Sequence, residues 1–277
     1  MRFYSAEALA YLDQAEAAPV LAELIRIEPA FRWHSLTALS SMDEMAAYDE
    51  LAGLLHSDSA ETRYGALRAL QQRNAQDPLV KGEALGDHLT LHAIASNGPP
   101  LVHISRSRAA EIAVFGRNVE LKLPLVLTTD SHLTLKSTDD GQIRITQFAP
   151  GKEDQHAIAS TRVDDVIRKL IAVGATYPEV VSLLQQAKAR GQLEARIVVD
   201  ALPKPGRTYQ RPEGEGEGSG SVEVASPLPS LFSRWEEKDA VTSETEPPSD
   251  DETDGEIVPE IDESEKSWWN IFGRMGG

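Results

Sequence analysis

The chain has 277 residues, of which 41% are hydrophobic and 26% charged, and its formal net charge is −17. This length is enough for one or two domains of ordinary size, and the absence of cysteine excludes disulfide scaffolds, cysteine zinc sites, thiolate nucleophiles and iron–sulfur ligation. The apolar runs are short and interrupted by charged residues, so none predicts a membrane span, and the first residues lack the apolar region of a secretory signal.

Three segments near the N-terminus share one sequence pattern, with spacings of 30 and 31 residues. RFYSAEALAYL begins at Arg2, RWHSLTALSSM at Arg32 and RYGALRALQQR at Arg63. An aromatic residue follows each arginine, and later positions repeat small residues and leucine: Ser5, Ser35 and Ala66; Ala8, Ala38 and Ala69; Leu9, Leu39 and Leu70. Such self-similarity at a fixed period indicates a repeat architecture.

The second half of each unit carries an apolar stripe with helical spacing. The stripe comprises Val20, Leu21, Leu24 and Ile25 in one unit and Ala47, Leu51, Leu54 and Leu55 in the next. Asp13 and Asp43 occupy positions expected of helix N-caps. Each unit is therefore predicted to be a helical hairpin, which must stack on its neighbours to bury its apolar face. These residues resemble HEAT-like repeats, and residues 1–76 are predicted to form a short α-solenoid.

Residues 77–209 are predicted to form a β-rich α+β domain. Segments between His88 and Phe148 alternate in polarity or are rich in β-branched residues, and turn signals separate them. The strongest turn signal is Asp139-Asp140-Gly141, which is typical of a hairpin. Pro124 within one strand-like run indicates an edge strand or a bulge. We expect a small antiparallel sheet or barrel.

Two amphipathic helices are predicted after these strands. The segment RVDDVIRKLIAVG follows Ser160 or Thr161 as N-cap, and PEVVSLLQQAKARG starts at Pro178, a favoured residue of a first helical turn. Residues 194–202, EARIVVDAL, alternate like one more strand. We expect both helices to cover the sheet.

Residues 210–277 are predicted to be a disordered acidic tail. Residues 212–277 hold 18 of the 44 acidic residues and only 4 of the 27 basic residues, and their composition buries too little apolar surface to fold. An acidic tail repels phosphate backbones, and the body has no compensating basic stripe. We therefore expect no nucleic acid partner.

Two aromatic islands interrupt the tail, at residues 228–235 and 267–275. Aromatic clusters in a disordered acidic segment can anchor a protein partner by coupled folding and binding. Docking of the islands onto the body of the same chain is an equally weighted alternative. The candidate partner-binding residues are Leu231, Phe232, Trp235, Trp268, Trp269, Ile271 and Phe272.

No motif in the chain carries an established chemistry. The sequence contains no G-x-S-x-G elbow, P-loop or H-E-x-x-H motif. His88 and His92, together with Asp87, have the spacing of a metal-binding pair, but the alternating context favours two histidines on a sheet surface. Asp164 and Asp165 are expected to stabilise the N-terminus of a helix. We therefore predict a non-enzymatic protein with no catalytic residue, no cofactor and no metal.

Four stretches resemble the C-terminal part of extended bacterial flagellar P-ring proteins. They are AYDELAGLLHSDSAETRYGALRAL, GPPLVHISRS, STRVDDVIRKLIAVGATYPEVVSLLQQAKARGQL and VDALPKPGRTY. The resemblance implies a structural role in the basal-body ring around the flagellar rod, without a cofactor. It also implies flagellar basal-body proteins as partners and allows a homo-oligomer.

The alternative is a soluble HEAT-repeat adaptor that recruits a protein partner through its acidic tail. Because the chain opens directly in a repeat helix, we expect it to be the back part of a longer chain. The resemblance to P-ring proteins implies that this longer protein is exported to the periplasm. A stand-alone adaptor without a signal peptide would be cytoplasmic instead.

Overall fold

The computed structural model describes residues 2–86, 89–106, 109–129, 132–148, 154–210 and 221–224. Its N-terminal part is helical, as the repeat pattern predicts. The helices are α1 (Arg2–Tyr11), α2 (Ala17–Ile27), α3 (Arg32–Ser41), α4 (Met45–Leu54) and α5 (Ala60–Arg73). The pairs α1–α2 and α3–α4 are the two expected hairpins, and α5 is the first helix of a third unit. We refer to these five helices as the helical stack.

The rest of the body contains strands and two more helices. The strands before the helices are β1 (Glu83–Leu85), β2 (Leu89–Ile94), β3 (Leu101–Ser105), β4 (Glu111–Phe115), β5 (Val126–Thr128), β6 (Leu133–Ser137), β7 (Ile143–Gln147) and β8 (Gln155–Ala159). They are followed by α6 (Val163–Ala172), α7 (Tyr177–Ala189), β9 (Arg196–Val199), β10 (Thr208–Gln210) and β11 (Ser221–Glu223). This succession confirms the α+β class.

The central sheet has five strands in the order β1-β2-β4-β3-β9. β2 is parallel to β4 and β3 is parallel to β9, whereas the β1–β2 and β3–β4 pairs are antiparallel. The expectation of an antiparallel sheet is therefore wrong here, because the sheet is mixed. Alternating polarity shows that a segment is extended, but the direction of its neighbour depends on distant parts of the chain.

A second sheet is antiparallel, with the order β5-β6-β7-β8. The predicted hairpin turn joins β6 to β7, and Gly141 adopts there a φ of +74°, which glycine tolerates without strain. β5 begins after Pro124 and lies at the edge of the sheet, as the proline predicts. β8 lies in a segment that gave no clear strand signal.

The central sheet is buried on both faces. Ala113 and Phe115 of β4 pack in one hydrophobic cluster with the helical stack. Ile112 and Val114 of the same strand pack in a second cluster with α6, α7 and the four-stranded sheet. Successive side chains of a strand point to opposite faces, so β4 contributes to two cores at once. The helical stack is therefore joined to the sheet at its α5 end.

The start of α6 differs from the expectation. Its N-cap residue is Arg162, not Ser160 or Thr161. Ser160 is held instead by Asp165, whose carboxylate accepts hydrogen bonds from the Ser160 N–H at 2.7 Å and hydroxyl at 2.8 Å. Asp164 pairs with the Arg162 guanidinium at 3.0 Å, so both acidic residues of the first turn serve local structure.

A small hairpin of β10 and β11 packs on the helical stack. Its two strands pair antiparallel. The ring of Tyr209 in β10 lies 5.1 Å from the ring of Phe31, and Val224, directly after β11, is buried in the cluster of the helical stack. The expected boundary between domain and tail at residue 210 falls within this hairpin. Residues 225–277 lie outside the described part of the chain.

Hydrogen bonds link the turns of successive repeats. Asp13, with a φ of +54°, accepts through Oδ1 from the backbone N–H groups of Asp43 at 2.8 Å and Glu44 at 3.3 Å. Arg73 donates in turn to the carbonyl groups of Asp43 and Glu44. The N-cap prediction for Asp13 and Asp43 is wrong, because Glu16 and Glu44 hold those positions. A short polar side chain tolerates the left-handed region, which lets Asp13 bridge two repeats.

Replacing Asp13 with alanine is expected to lower the free energy of unfolding by about 1 kcal/mol, because two amides lose their acceptor and alanine is disfavoured at positive φ. Asp13→Asn is the matched control, since asparagine tolerates this backbone region and keeps an acceptor oxygen. Urea denaturation measures both variants. An Asp13→Ala variant as stable as the wild-type protein would contradict a role for this bridge.

Candidate functional site

The residues that the sequence singled out are only partly described. The aromatic tail candidates lie outside the described residues: Leu231, Phe232, Trp235, Trp268, Trp269, Ile271 and Phe272. Asp87 and His88 also lie outside them. His92 is described and is only 2% exposed. The expectation of a surface histidine is therefore wrong for His92, because its side chain lies between the sheet and α5.

His92 belongs to a buried polar junction between α5 and the central sheet. Its Nδ1 donates to the carbonyl of Val80 at 3.0 Å, and its Nε2 lies 3.5 Å from Oε2 of Glu111. Glu111 also accepts from the hydroxyl of Tyr64 at 2.9 Å and contacts the guanidinium of Arg68 at 3.4 Å. One carboxylate thus connects α5 with β2 and β4.

Glu111 stays ionised although its side chain is only 12% exposed. Burial by itself raises the pKa of a carboxyl group. The contacts with His92, Arg68 and Tyr64 outweigh this effect and hold the pKa of Glu111 below its usual value. A buried charge that loses its partners is strongly destabilising, so the junction holds α5 in one position on the sheet.

His103 of β3 lies beside this junction. Its ring stacks on that of Tyr64, with 3.5 Å between the ring centroids, and its Nε2 accepts from the backbone N–H of Ala201 at 3.1 Å. Burial lowers the pKa of His103 to about 4. Because Nε2 accepts a hydrogen bond, the ring is neutral and carries its proton on Nδ1.

The described residues offer little that is suited to catalysis. Within them, no three His, Asp or Glu side chains come together to hold a metal ion, and the polar junction is buried. A cleft of about 490 Å³ is lined by residues 118–123 and Thr161 near the start of α6. It carries the exposed ion pair of Lys122 with Glu194, and the lysine lowers the pKa of the Glu194 carboxyl, which makes it a poor general base.

Several exposed large apolar side chains of the helical stack lie on α1 or directly after it. This helix buries Phe3, Ala6 and Ala10 but leaves Leu9 41% exposed, and Leu12, directly after its last residue, is 68% exposed. The exposed small residues Ser5 and Ala8 each lie four positions before one of these leucines, on the same helical face. We call this surface the α1 stripe; it consists of Ser5, Ala8, Leu9 and Leu12.

The equivalent positions of the following repeats are buried. Leu39 and Leu70 correspond to Leu9 and are 0% and 1% exposed. Met42 corresponds to Leu12 and is 1% exposed. The small equivalents are fully buried as well: Ser35, Ala38, Ala66 and Ala69. The α1 stripe is therefore a face that this architecture normally covers.

Comparison with known proteins finds a family that the helical segment resembles. The family model for HEAT repeats matches residues 1–71. This match supports HEAT-like repeats in the helical stack. No curated protein and no solved structure matches the chain. HEAT repeats are stacked helical pairs whose surfaces bind other proteins and which are scaffolds rather than catalysts. None of the helices in the described ranges is long and apolar enough to cross a membrane.

The sequence pattern aligned the repeats, but it did not predict two features of the folded chain. The junction at Glu111 was not predicted, although an acidic residue at the start of an apolar strand and an aromatic residue after Arg63 were visible signals. The exposure of the α1 stripe was missed because aligned residues look alike in sequence. Only their neighbours in space distinguish Leu9 from Leu39.

The stability of the folded chain is expected to fall as the pH drops from about 7 toward 4. His103 has a pKa of about 4 in the folded state against 6.5 for the free side chain, so the unfolded chain binds the extra proton in this range. The loss due to His103 reaches about 3 kcal/mol and is complete only below pH 4.

Comparing His103→Gln with the wild type by urea denaturation at pH 7 and pH 4.5 isolates this effect. Glutamine also offers an acceptor to the Ala201 N–H but does not titrate, so the variant should lose less stability on acidification. Equal losses of stability on acidification in the two proteins would show that His103 does not contribute to the pH dependence.

Proposed function

We propose that this chain is a non-enzymatic scaffold, in which the HEAT repeats bind a partner protein while the β-rich body holds the repeats in place. The observation that carries this proposal is the exposure of Leu9, whose equivalents Leu39 and Leu70 are buried, and of Leu12, whose equivalent Met42 is buried in the second repeat. Adjacent exposed apolar side chains mark interaction surfaces. The exposed tyrosines Tyr4 and Tyr11 widen this surface, and tyrosine is enriched in protein interfaces.

The attachment of the repeats to the body supports this role. Glu61 of α5 pairs with Arg32 of α3 at 2.8 Å and with Arg207 of the C-terminal segment at 2.7 Å. The Glu111 junction fixes α5 on the sheet as well. A surface that is already ordered loses less conformational entropy when a partner binds.

A photo-crosslinking amino acid at Leu9, introduced into the full chain in its native cells, tests the scaffold proposal. We expect it to form an adduct with a specific protein, and we expect Leu12→Glu to abolish that adduct because a charge would be buried in the interface. The same probe at Glu23, an exposed position of α2, serves as the control. Equal adducts from both positions, or none from Leu9, would contradict the proposal.

The aromatic tail residues form the second arm of the same experiment. In the adaptor hypothesis, the partner is recruited through the tail rather than through the repeats. Probes at Trp235 and Trp269 therefore distinguish the two hypotheses. Adducts from the tail positions alone would favour the adaptor.

A more specific proposal is that the chain acts in the flagellar P-ring, as part of an extended ring protein. It is supported by the resemblance of the four stretches quoted above, which include β3, α6 and α7. In a flagellated source organism, deleting the coding segment for residues 2–209 is expected to reduce swimming in soft agar. The protein should also co-purify with basal bodies. Normal swimming together with absence from basal bodies would exclude this role.

A further inference from the structure

The segment that follows β9 lies against α5 as an extended strap. Residues 201–207 form no helix or strand. Leu202 packs on the hydrophobic cluster of the helical stack, and Pro203 approaches α5 so closely that a Cβ atom at Gly65 would lie 3.1 Å from the proline Cγ. We call residues 201–207 the C-terminal strap. The strap covers one face of α5.

We propose that the C-terminal strap is an acid-operated cover, which opens away from α5 when His103 takes up a proton, while the helical stack and the central sheet stay folded. The proposal goes beyond the scaffold function, because the device lies within one chain and needs no partner protein. Opening would uncover the face of α5 around Gly65. Acid would thereby change the surface that the repeats present.

One end of the strap is held by a hydrogen bond that exists only while His103 is neutral. The backbone N–H of Ala201 donates to Nε2 of His103 at 3.1 Å. An imidazolium ring carries a proton on both nitrogens and accepts no hydrogen bond. The His103 side chain is 0% exposed, and within the described residues its Nδ1 has no hydrogen-bond partner. Protonation in the closed state would therefore set two N–H groups against each other.

The titratable and charged groups around His103 come from α5, β4 and the end of β9. The ring of Tyr64 stacks on the imidazole. Burial has the largest effect on the pKa of His103 and lowers it, whereas Glu111 and Asp200 raise it and Arg68 lowers it. Burial prevails, so the pKa of His103 is about 4. The ring thus gains its proton more readily in a state that water can reach.

The far end of the strap is held by an ion pair that water already reaches. Arg207 pairs with Glu61 of α5 at 2.7 Å, and the two side chains are 31% and 28% exposed. Burial raises the pKa of Glu61, but the hydrogen bonds from Arg207 and Arg32 outweigh this effect and hold the pKa below its usual value. The ion pair therefore persists at pH 5, and an ion pair this accessible contributes little to holding the strap.

The strap is the cover of His103 that opens at the lowest free energy. Ala201 covers the Nε2 side of the ring, whereas the stacking partner Tyr64 and the strand neighbours of His103 belong to α5 and the central sheet. A segment without a ladder of hydrogen bonds opens locally, whereas the strands of a sheet open together with the fold. Departure of the strap therefore gives the ring access to water without separating β3 from β4 or β9.

Native-state hydrogen exchange of the full chain at pH 7.5 and pH 5 tests the proposal. The amides of Ala201 and Leu202 report the strap, those of β3 and β4 report the sheet, and all rates are corrected for the intrinsic effect of pH on exchange. With a pKa of about 4 when closed and 6.5 when open, proton uptake by His103 favours opening about 30-fold at pH 5. We expect the protection of the strap amides to fall by this factor.

Dilute urea separates local opening from unfolding of the whole chain. Local opening exposes little surface and should respond weakly to urea, whereas exchange of the β3 and β4 amides should rise steeply with it. Strap amides that exchange at the rate of the sheet amides, with the same dependence on urea, would overturn the proposal, because the strap would then open only with the fold.

Two variants identify the group that responds to acid. His103→Gln keeps an acceptor for the Ala201 N–H but does not titrate, so its strap should be equally protected at both pH values. Arg207→Gln removes the far ion pair and should lower protection to the same extent at both pH values, leaving the effect of pH unchanged. A pH effect that survives His103→Gln, or one that Arg207→Gln abolishes, would assign the response to another group and overturn the proposal.

The wild-type chain alone decides the matter if His103→Gln does not fold. Protection of its strap amides should fall continuously from pH 7.5 to pH 5, by less than about tenfold per pH unit, which is the limit for uptake of one proton. Constant protection over this range, or a steeper fall that needs several protons, would contradict the role of His103 as the trigger.

Discussion

The central sheet must cover both of its faces, and the helical stack covers one of them. Side chains of β4 alternate between two cores, with Phe115 on the side of the stack and Val114 on the side of α6 and α7. A short array of HEAT repeats buries too little apolar surface to be stable without neighbours. Because the sheet supplies a neighbour at the α5 end, the five helices and the β-rich body form one compact unit.

The contact between stack and sheet contains a polar junction as well as apolar residues. Glu111 binds Tyr64, Arg68 and His92 in a region from which water is largely removed. Buried ion pairs of this kind contribute little net stability, but they penalise every alternative position of α5. The neutral His103, stacked on Tyr64, adds a hydrogen bond that only the deprotonated ring can accept. The junction therefore determines the position of the repeats and makes it sensitive to acid.

The two ends of the helical stack differ in how far equivalent positions are covered. At the α5 end the equivalents of the α1 stripe are covered, and Leu70 is 1% exposed. At the α1 end Leu9 and Leu12 are exposed. The scaffold proposal rests on this asymmetry.

Local sequence determined the elements of this protein, and tertiary structure decided how they meet. Period and spacing predicted α1 to α5, the β2 strand and the hairpin at Gly141, because these depend on residues close together in the chain. The parallel pairing of β2 with β4, the burial of His92 and the bridging role of Asp13 could not be predicted, since each depends on a partner far away in sequence. Leu9 and Leu39 have the same side chain in the same repeat position, and only their neighbours in space make Leu39 a core residue and Leu9 an exposed one.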